Sequence, residues 1–406
     1  MKHIGIIAEY NPFHNGHQYQ IKTITQQFPN KKVIVIMSGD FVQRGEPAIY
    51  NKYLRTECAL ECGADIVLEL PPRYAFSSAE YFASAAVLGL YYTGMVDTIC
   101  FGAENDNIEL FETVAKLLVN EPDSFKNILK EELKNGTSFP KARAIAVSSY
   151  LQNPDCFTLL EQPNNILGIE YIKAIYKYEV PLSVCIIKRT GSDYHNTSLD
   201  DTFSSATALR KGIKEQFSQL SNYMPSSVHS LLCQSSSAQP LYSDDFYQCL
   251  LYCLWKHKNE YMDYFEMTQD ISNRLHSLTD YPTNIDELVT LCSSKNYTKT
   301  RIRRILLNLL LNVKQEEMDT LKQHHYISYL RLLGLKKESS FLLKEAKEHS
   351  TIPIINKVAD ARKQLTCDDL KLFQNDLEIS HLYQCIFKQK YGITLPSEYE
   401  HSVIIK

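Results

Sequence analysis

Two histidines, His14 and His17, follow directly on a short apolar run close to the start of the chain. The run at residues 4–8 is apolar and rich in isoleucine, which is typical of a buried strand, and the apolar residues after His17 recur at helical spacing. The pair therefore lies at a strand–turn–helix junction. Backbone N–H groups and the helix dipole favour an anion there, and Gly16 has no Cβ to keep it at a distance. The junction is predicted to bind a triphosphate and to stabilise charge that develops on it.

Two other interpretations of this pair are possible from the residues alone. Histidines three residues apart could form half of a metal site, or could simply lie on the surface. Their position immediately after the first strand favours nucleotide chemistry over both.

Strands and helices alternate over the first hundred residues. Strands are predicted at 4–8, 32–37, 65–70 and 97–101, with helices beginning near 16, 49 and 78. A further strand, predicted as the last of the sheet, covers 181–187 after a helix at 165–178. Buried strands that alternate with helices predict an α/β fold with a doubly wound parallel sheet.

Ligands bind beyond the carboxyl ends of the strands in such sheets. His14, Gly39 and Gly102 each follow a different predicted strand, and Arg189 follows a fourth. We therefore expect them to share one site.

The rest of the chain is predominantly helical in pattern. We predict a catalytic domain at residues 1–215 with a helical insertion at about 106–150, and a mainly helical domain at 216–406. A chain of 406 residues suits two or three domains. The net charge of −4 means that a nucleic-acid partner would need a local basic patch.

The eleven cysteines are scattered, and none belongs to a CxxC pair. Cys58/Cys62 and Cys249/Cys253 lie one helical turn apart and are expected to pack as small apolar residues, so no metal site is predicted. Free thiols in this number, with neither a signal peptide nor a long apolar run, predict a cytoplasmic protein.

Long motifs resemble those of a known family. HxGH after the first strand is the signature of the HIGH-type, Rossmann-like nucleotidyltransferases, and residues 203–210 (FSSATALR) are similar to the ISSTxIR motif of that superfamily, with Ala206 where Ser or Thr is usual. Four segments resemble the tRNA(Met) cytidine acetate ligase family more closely: 5–17 (GIIAEYNPFHNGH), 37–48 (MSGDFVQRGEPA), 101–104 (FGAE) and 162–168 (QPNNILG).

This resemblance implies an ATP-dependent ligase. Such an enzyme activates acetate as acetyl-adenylate and transfers the acetyl group to N4 of the wobble cytidine of elongator tRNA(Met). It further implies His14 and His17 as catalytic residues and Mg²⁺ as the companion of ATP. The implied ATP-binding residues are Ile7, Ala8, Glu9, Tyr10, Asn11, Pro12, Phe13, His14, Asn15, Gly16, His17, Gln18, Tyr19, Gln20, Gly102, Asn164, Arg189, Ser205, Thr207 and Arg210.

Two further groups are predicted from the residues themselves. Arg44, in a long loop at the ligand edge, could pair with the acetate carboxylate. A cluster of cations, Lys299, Arg301, Arg303 and Arg304, opens an apolar helix. Cations usually favour the other end of a helix, so this placement suggests contact with tRNA phosphates, although a solvated face is the alternative.

Two alternative functions remain open at this point. A small-molecule adenylyltransferase of the same fold would not require tRNA, and a non-catalytic protein that kept the fold would bind ATP without turnover. The intact His14, Gly16 and His17 disfavour the second of these.

Overall fold

The computed structural model describes residues 2–189, 205–215 and 220–406. Within these ranges ten strands are found: β1 His3–Ala8, β2 Val33–Ser38, β3 Phe41–Val42, β4 Glu46–Pro47, β5 Ile66–Leu70, β6 Val96–Ala103, β7 Ser183–Lys188, β8 Leu330–Leu335, β9 Ile354–Ile355 and β10 Ile404–Ile405. Eight of them form one sheet in the order β10-β8-β5-β2-β1-β6-β7, with β9 on β8, and β3 and β4 form a separate hairpin.

Helices connect and cover these strands. The α-helices of the first half are α1 Asn15–Gln27, α2 Lys52–Glu61, α3 Pro72–Ala75, α4 Ala79–Tyr92, α5 Ile108–Val119, α6 Asp123–Lys134, α7 Phe139–Leu151, α8 Asp155–Glu161, α9 Pro163–Lys177 and α10 Ala206–Lys214. Those of the second half are α11 Ser226–Gln234, α12 Tyr247–Lys256, α13 Gln269–Ser277, α14 Ile285–Cys292, α15 Lys299–Leu310, α16 Gln315–Gln323, α17 Phe341–His349 and α18 Cys367–Tyr391. Short 3₁₀ turns cover Leu220–Asn222, Ser243–Phe246, Lys258–Asp263, Lys337–Ser339 and Val358–Lys363.

Parallel pairing around β1 organises the sheet. β1 pairs with β2 on one side, where Ile4 lies opposite Val33, and with β6 on the other, where Ile4 lies opposite Thr98. β2 and β5 thus lie on one side of β1, whereas β6 and β7, which come later in the chain, lie on the other. This reversal of strand order opens a crevice at the carboxyl end of the central strands. The residues that follow β1 lie at that crevice.

The predicted elements of the first half are confirmed, with ends shifted by a few residues. The segment at about 106–150, predicted as an insertion, is helical and contains α5, α6 and α7. None of the helices in the described ranges combines the length and apolar character needed to cross a bilayer.

The second half contains strands that the sequence pattern did not predict, so β7 is not the last strand of the sheet. β8 pairs antiparallel with β5, and β10 pairs parallel with β8. Four of the six residues of β8 are leucines, which favour helices by propensity, so pairing with β5 decides their conformation. The boundary between 215 and 216 stays a prediction, although strands from both sides of it share one sheet.

A buried charge cluster joins β8 and the end of the chain to the first half. Lys52 Nζ lies 2.8 Å from Glu69 Oε1 and 3.0 Å from Glu398 Oε2. Arg331 also donates to Glu398. All four side chains are buried. Burying these charges is tolerable because each has a partner of opposite sign.

Candidate active site

A cavity of about 210 Å³ opens at the crevice beyond β1 and β6. Most residues predicted to bind ATP line it, as formed by the described parts of the chain. These are Ile7, Ala8, Glu9, Tyr10, Asn11, His14, Gly16, His17, Tyr19, Gln20, Gly102, Asn164, Arg189, Ser205, Thr207 and Arg210. Arg44, predicted for acetate, lies on the same wall. The structure therefore brings together residues that are far apart in sequence.

Four residues of the predicted ATP segment are not on this wall: Pro12, Phe13, Asn15 and Gln18. Phe13 is buried, and its ring centroid lies 5.4 Å from that of His17, so it packs against the histidine ring. Asn15 donates to the carbonyl of Asn222 at 2.9 Å. Phe203 and Ser204 of the second motif lie outside the described residues.

His14 and His17 are held by backbone contacts at the start of α1. His14 is the N-cap, and its Nδ1 accepts from the Gly16 N–H at 3.1 Å. His17 Nδ1 accepts from the His14 N–H at 3.2 Å, and the two rings stack with centroids 3.7 Å apart. Because Nδ1 of each ring is an acceptor, the proton of each neutral ring is on Nε2. Each histidine is therefore a neutral N–H donor.

Burial and neighbouring cations keep both rings neutral. Burial lowers the pKa of His14 to about 3, with smaller contributions from Arg189 and Arg210. Burial also brings the pKa of His17 well below its ordinary value, assisted by His14 and Arg189. A donor that needs no proton from solvent is suited to phosphate oxygens over a wide pH range.

The second motif contacts the first through α10. Ser205 is the N-cap of α10 and its Oγ accepts from the Ala208 N–H at 3.1 Å. Arg210 donates to the carbonyl of Asn11 and to Thr207 Oγ1. The arginine therefore brings positive charge next to the loop that carries His14.

Asn164 is positioned by two residues that sequence reasoning missed as site residues. Its Nδ2 donates to Glu104 Oε1, while Glu104 Oε2 accepts from the Asn165 N–H at 3.2 Å. Asn165 Oδ1 in turn accepts from the Glu104 N–H at 2.9 Å. The signal was present in the sequence, because residues 101–104 and 162–168 are two separate motifs that meet here.

Arg55 was also missed, and it fixes the ends of β1 and β2. Its side chain is only 1% exposed. The guanidinium donates to the carbonyls of Glu9 at 2.6 Å and Ser38 at 3.0 Å, and also to Gly39. Asp40, in the loop after β2, accepts from the N–H of Lys52 at the start of α2 at 3.0 Å. Both residues hold the loop after β2 rather than line the cavity.

The predicted tRNA-binding cluster divides into two pairs. Lys299 and Arg301 lie at the start of α15, Lys299 is exposed, and Arg301 lies over the Tyr297 ring. Arg303 donates to both Glu46 and Asp286, and Arg304 Nε lies 3.5 Å from Glu266 Oε2. Contact with tRNA stays a prediction for all four, but Arg303 and Arg304 already have carboxylate partners.

The full length of the chain matches known proteins. Residues 1–395 match the HIGH Nucleotidyl Transferase family. The tRNA(Met) cytidine acetate ligase of Acetivibrio thermocellus is 38% identical over 416 residues, covering 100% of both chains, and that of Clostridium perfringens is 36% identical, covering 99% and 98%. The chain belongs to the tRNA(Met) cytidine acetate ligase family of HIGH nucleotidyl transferases. The family resemblance drawn from the four motifs is thereby confirmed.

Solved structures of the family share the whole fold. The crystal structure of Thermotoga maritima TmcAL superposes with a TM-score of 0.93 at 29% identity and covers 100% of this chain and 99% of that one. A second crystal form of that protein, bound with alpha-thio ATP, superposes with a TM-score of 0.91. The predicted α/β fold with a helical C-terminal region is confirmed.

Proposed function

We propose that this chain activates acetate with ATP as acetyl-adenylate and transfers the acetyl group to N4 of the wobble cytidine of elongator tRNA(Met). The observation that carries the proposal is the pair of neutral histidine donors in a cavity also lined by arginines. The names of full-length relatives support the particular substrates. A tRNA substrate also implies a cytoplasmic location.

In the first step, an acetate oxygen attacks the α-phosphorus of ATP and pyrophosphate leaves. His14 and His17 would donate Nε2–H to phosphate oxygens as negative charge moves onto the pyrophosphate. Arg210 and Arg189 would neutralise that leaving group, and Asn164 would orient the nucleoside through its amide. The protein supplies position and positive charge rather than a covalent partner.

Arg44 is proposed to pair with the acetate carboxylate. It lies on the cavity wall beside Glu9, whose carboxylate accepts from the Gln43 N–H at 2.8 Å. Burial raises the pKa of Glu9, while Gln43, Arg210, Arg44 and Arg55 oppose that effect. Acetate and ATP repel each other as anions, so a cation between them lowers the barrier to their approach.

In the second step, the cytidine amine attacks the carbonyl carbon of acetyl-adenylate. The N–C bond forms, AMP leaves, and one amine proton is lost. Holding the mixed anhydride against the base compensates for the weak nucleophilicity of that amine. Lys299 and Arg301 are proposed to hold the tRNA through its phosphates.

Mg²⁺ is the predicted companion of ATP. Within the described residues no group of three or more His, Cys, Asp or Glu side chains could hold a metal ion. Magnesium usually keeps its waters and binds substrate phosphates, so the protein residues do not form a cage for it. No step above depends on the ion.

Mass spectrometry of tRNA nucleosides tests the function. Purified protein, ATP, isotope-labelled acetate and tRNA should yield labelled N4-acetylcytidine together with AMP and pyrophosphate. Pyrophosphate release that needs a phosphorylated metabolite instead of tRNA would favour a small-molecule adenylyltransferase. ATP binding without turnover in the complete mixture would favour a non-catalytic protein.

A further inference from the structure

Gln43 and Arg44 reach the cavity from a very small hairpin, residues 41–47. Its two strands, β3 and β4, have two residues each, and the turn is closed by the Gly45 N–H donating to the Val42 carbonyl at 2.9 Å. An isolated hairpin of this size has little stability of its own. The position of its tip must therefore be set by the elements that pack against it.

One side of the hairpin contacts the loop after β1, at Glu9. The Gln43 N–H donates to Glu9 Oε1, and the Ala48 N–H donates to the Asp40 carbonyl at 2.9 Å. These bonds fix the base and the inner edge of the hairpin. They leave its outer edge, at Gly45 and Glu46, to be held from elsewhere.

Helix α15 holds that outer edge. Arg303, 21% exposed in its side chain, donates from Nη1 to Glu46 Oε1. Gly45 has φ of +75°, and a Cβ at this position would lie 2.5 Å from Arg304 N and 2.7 Å from the carbonyl carbon of Arg303. A glycine is therefore required both for the turn and for the close approach of the hairpin to the helix backbone.

Apolar packing continues the same contact. Phe41 and Pro47 line, with Leu306, Leu307 and Leu310 of α15, a narrow gap of about 20 Å³. Arg304 pairs with Glu266 beside this contact. Helix α15, which begins with the exposed Lys299, thus packs against the hairpin through residues further along the helix.

We propose that Arg303 is a positioning residue. Its contact with Glu46, together with the close approach of Gly45 to α15, fixes the position of Arg44 in the cavity. That position in turn sets the affinity for the carboxylate substrate. This inference rests on the proposed function, in which Arg44 pairs with acetate. It assigns Arg303 to the first step of the reaction, whereas Lys299 and Arg301 remain the candidates for tRNA phosphates.

The test compares Arg303→Ala with wild type in the full-length protein. We expect the KM for acetate to rise about tenfold or more, since misplacing a positioned group by 1 Å can cost on the order of a hundredfold. The dissociation constant for a non-hydrolysable ATP analogue should stay within about twofold, because the histidine donors are untouched. Arg303→Lys keeps one charge contact to Glu46 and should recover most of the acetate affinity.

Matched controls separate this role from a general loss of structure. Asp286→Ala removes the other partner of Arg303 and leaves the contact with Glu46. Arg274→Ala removes an arginine of α13 that pairs with Asp270, away from the hairpin. Both should keep the acetate KM of wild type. Gly45→Ala pushes the hairpin away from α15 and should therefore raise the acetate KM, as Arg303→Ala does.

Hydrogen exchange gives a second readout that needs no activity. The Gly45 amide should exchange faster in Arg303→Ala and in Glu46→Gln than in wild type, whereas amides of β1 should not change. An unchanged acetate KM together with unchanged exchange of Gly45 would overturn the proposal, as would equal losses of acetate and ATP-analogue affinity. A flatter salt dependence of tRNA binding with normal acetate KM would show instead that Arg303 contacts phosphates.

Failure of the proposed function would look different. Wild-type protein would then show no acetate-dependent release of pyrophosphate in the complete mixture. The exchange measurement on Gly45 would still decide whether Arg303 positions the hairpin.

Discussion

Arg210 donates a hydrogen bond from Nη1 to the backbone carbonyl of Asn11 at 2.8 Å, across a sequence separation of 199 residues. Its Nη2 donates to Thr207 Oγ1 at 3.3 Å. The contact joins the middle of α10 to the loop between β1 and α1. The two superfamily motifs are therefore parts of one wall, and the second helps to fix the first.

Removing this guanidinium should weaken nucleotide binding. Arg210→Ala is expected to raise the dissociation constant for an ATP analogue by roughly 10- to 100-fold, as loss of a charged hydrogen bond of about 1.5–3 kcal/mol implies. Calorimetric titration measures it directly. Lys214→Ala, an exposed cation on the same helix, is the matched control. Equal affinities of the two variants would contradict a role for Arg210 in binding.

Loss of either stacked histidine should abolish the first step. His14→Ala and His17→Ala are each expected to slow acetate-dependent pyrophosphate release by about a hundredfold or more, since each removes one donor to the transition state. Binding of tRNA should persist. His324→Ala removes an exposed histidine of the C-terminal half and serves as the control. A near-normal rate in either active-site variant would refute the assignment.

The same histidines should stay neutral in mild acid. Burial and nearby arginines lower the pKa of His14 to about 3, so its ring should not protonate between pH 7 and pH 5. A folded-state pKa below the unfolded value of about 6.5 means that this group favours the folded state above that pH, and its contribution declines as the pH falls below it. Imidazole ¹⁵N shifts should show Nε2–H rings throughout; titration near pH 6.5 would contradict the assignment.

Lys299 and Arg301, at the start of α15, should account for salt-sensitive tRNA binding. Replacing Lys299 and Arg301 by alanine is expected to reduce the slope of log affinity against log salt by about one unit for each phosphate that the variant no longer neutralises. Arg304→Ala removes a cation already paired with Glu266 and should reduce the slope less. Filter binding at several salt concentrations gives the slopes. Identical slopes for the double variant and wild type would show that this surface is only solvated.

Glu398 should be important for stability although it lies outside the cavity. Burial would raise its pKa, but Lys52 and Arg331 outweigh burial and hold the pKa at about 2. Glu398→Ala should destabilise the fold by about 3–5 kcal/mol, because it leaves buried cations without their partner. Glu400→Ala, at an exposed position, is the control. Denaturant unfolding of both variants checks the difference.

The pH dependence of that stability follows from the lowered pKa of Glu398. The contribution is fully present above the unfolded value of 4.5 and is lost as the pH falls towards about 2. Wild type should therefore lose more stability than Glu398→Ala over that interval. Parallel stability curves for the two proteins would contradict this role.

Cys100 should not carry the acetyl group. The contact with Cys185 and burial both raise the pKa of Cys100, and its side chain is fully buried in β6. A thiol nucleophile needs a lowered pKa and access to its substrate. Cys100→Ala should therefore keep most acetyl transfer to tRNA. Isolation of an acetyl-thioester on Cys100 that passes its label to tRNA would overturn the mechanism.

Local patterns predicted the first half well for physical reasons. Buried parallel strands are short and apolar, and the helices between them show regular spacing, so β1, β2, β5 and β6 could be located from the sequence. Residues at the carboxyl ends of those strands must meet at one edge, which placed His14, Gly102 and Arg189 together on the cavity wall. Gly39, predicted to share that site, does not line the cavity.

Long-range contacts explain what the pattern did not predict. β8 is a strand because β5 offers it an edge, and no local signal in residues 330–335 indicates this pairing. The Arg55 guanidinium bonds to the nearby Tyr50 carbonyl, but its role depends on the carbonyls of Glu9, Ser38 and Gly39, which lie in two other segments. The carboxylate partners of Arg303 and Arg304, Glu46 and Glu266, also lie far from them in sequence.

The buried charge cluster also affects how the protein is made. Tyr53 OH donates to Glu398 at 3.0 Å across 345 residues of sequence. While a ribosome is still synthesising residues before 330, β5 has an open edge, Glu69 lacks Arg331, and Lys52 lacks Glu398. Open edges of this kind pair readily with other chains. The edge of β5 therefore stays open to such pairing until residues 330–335 have been synthesised, although the residues that line the cavity, between 7 and 210, precede that segment.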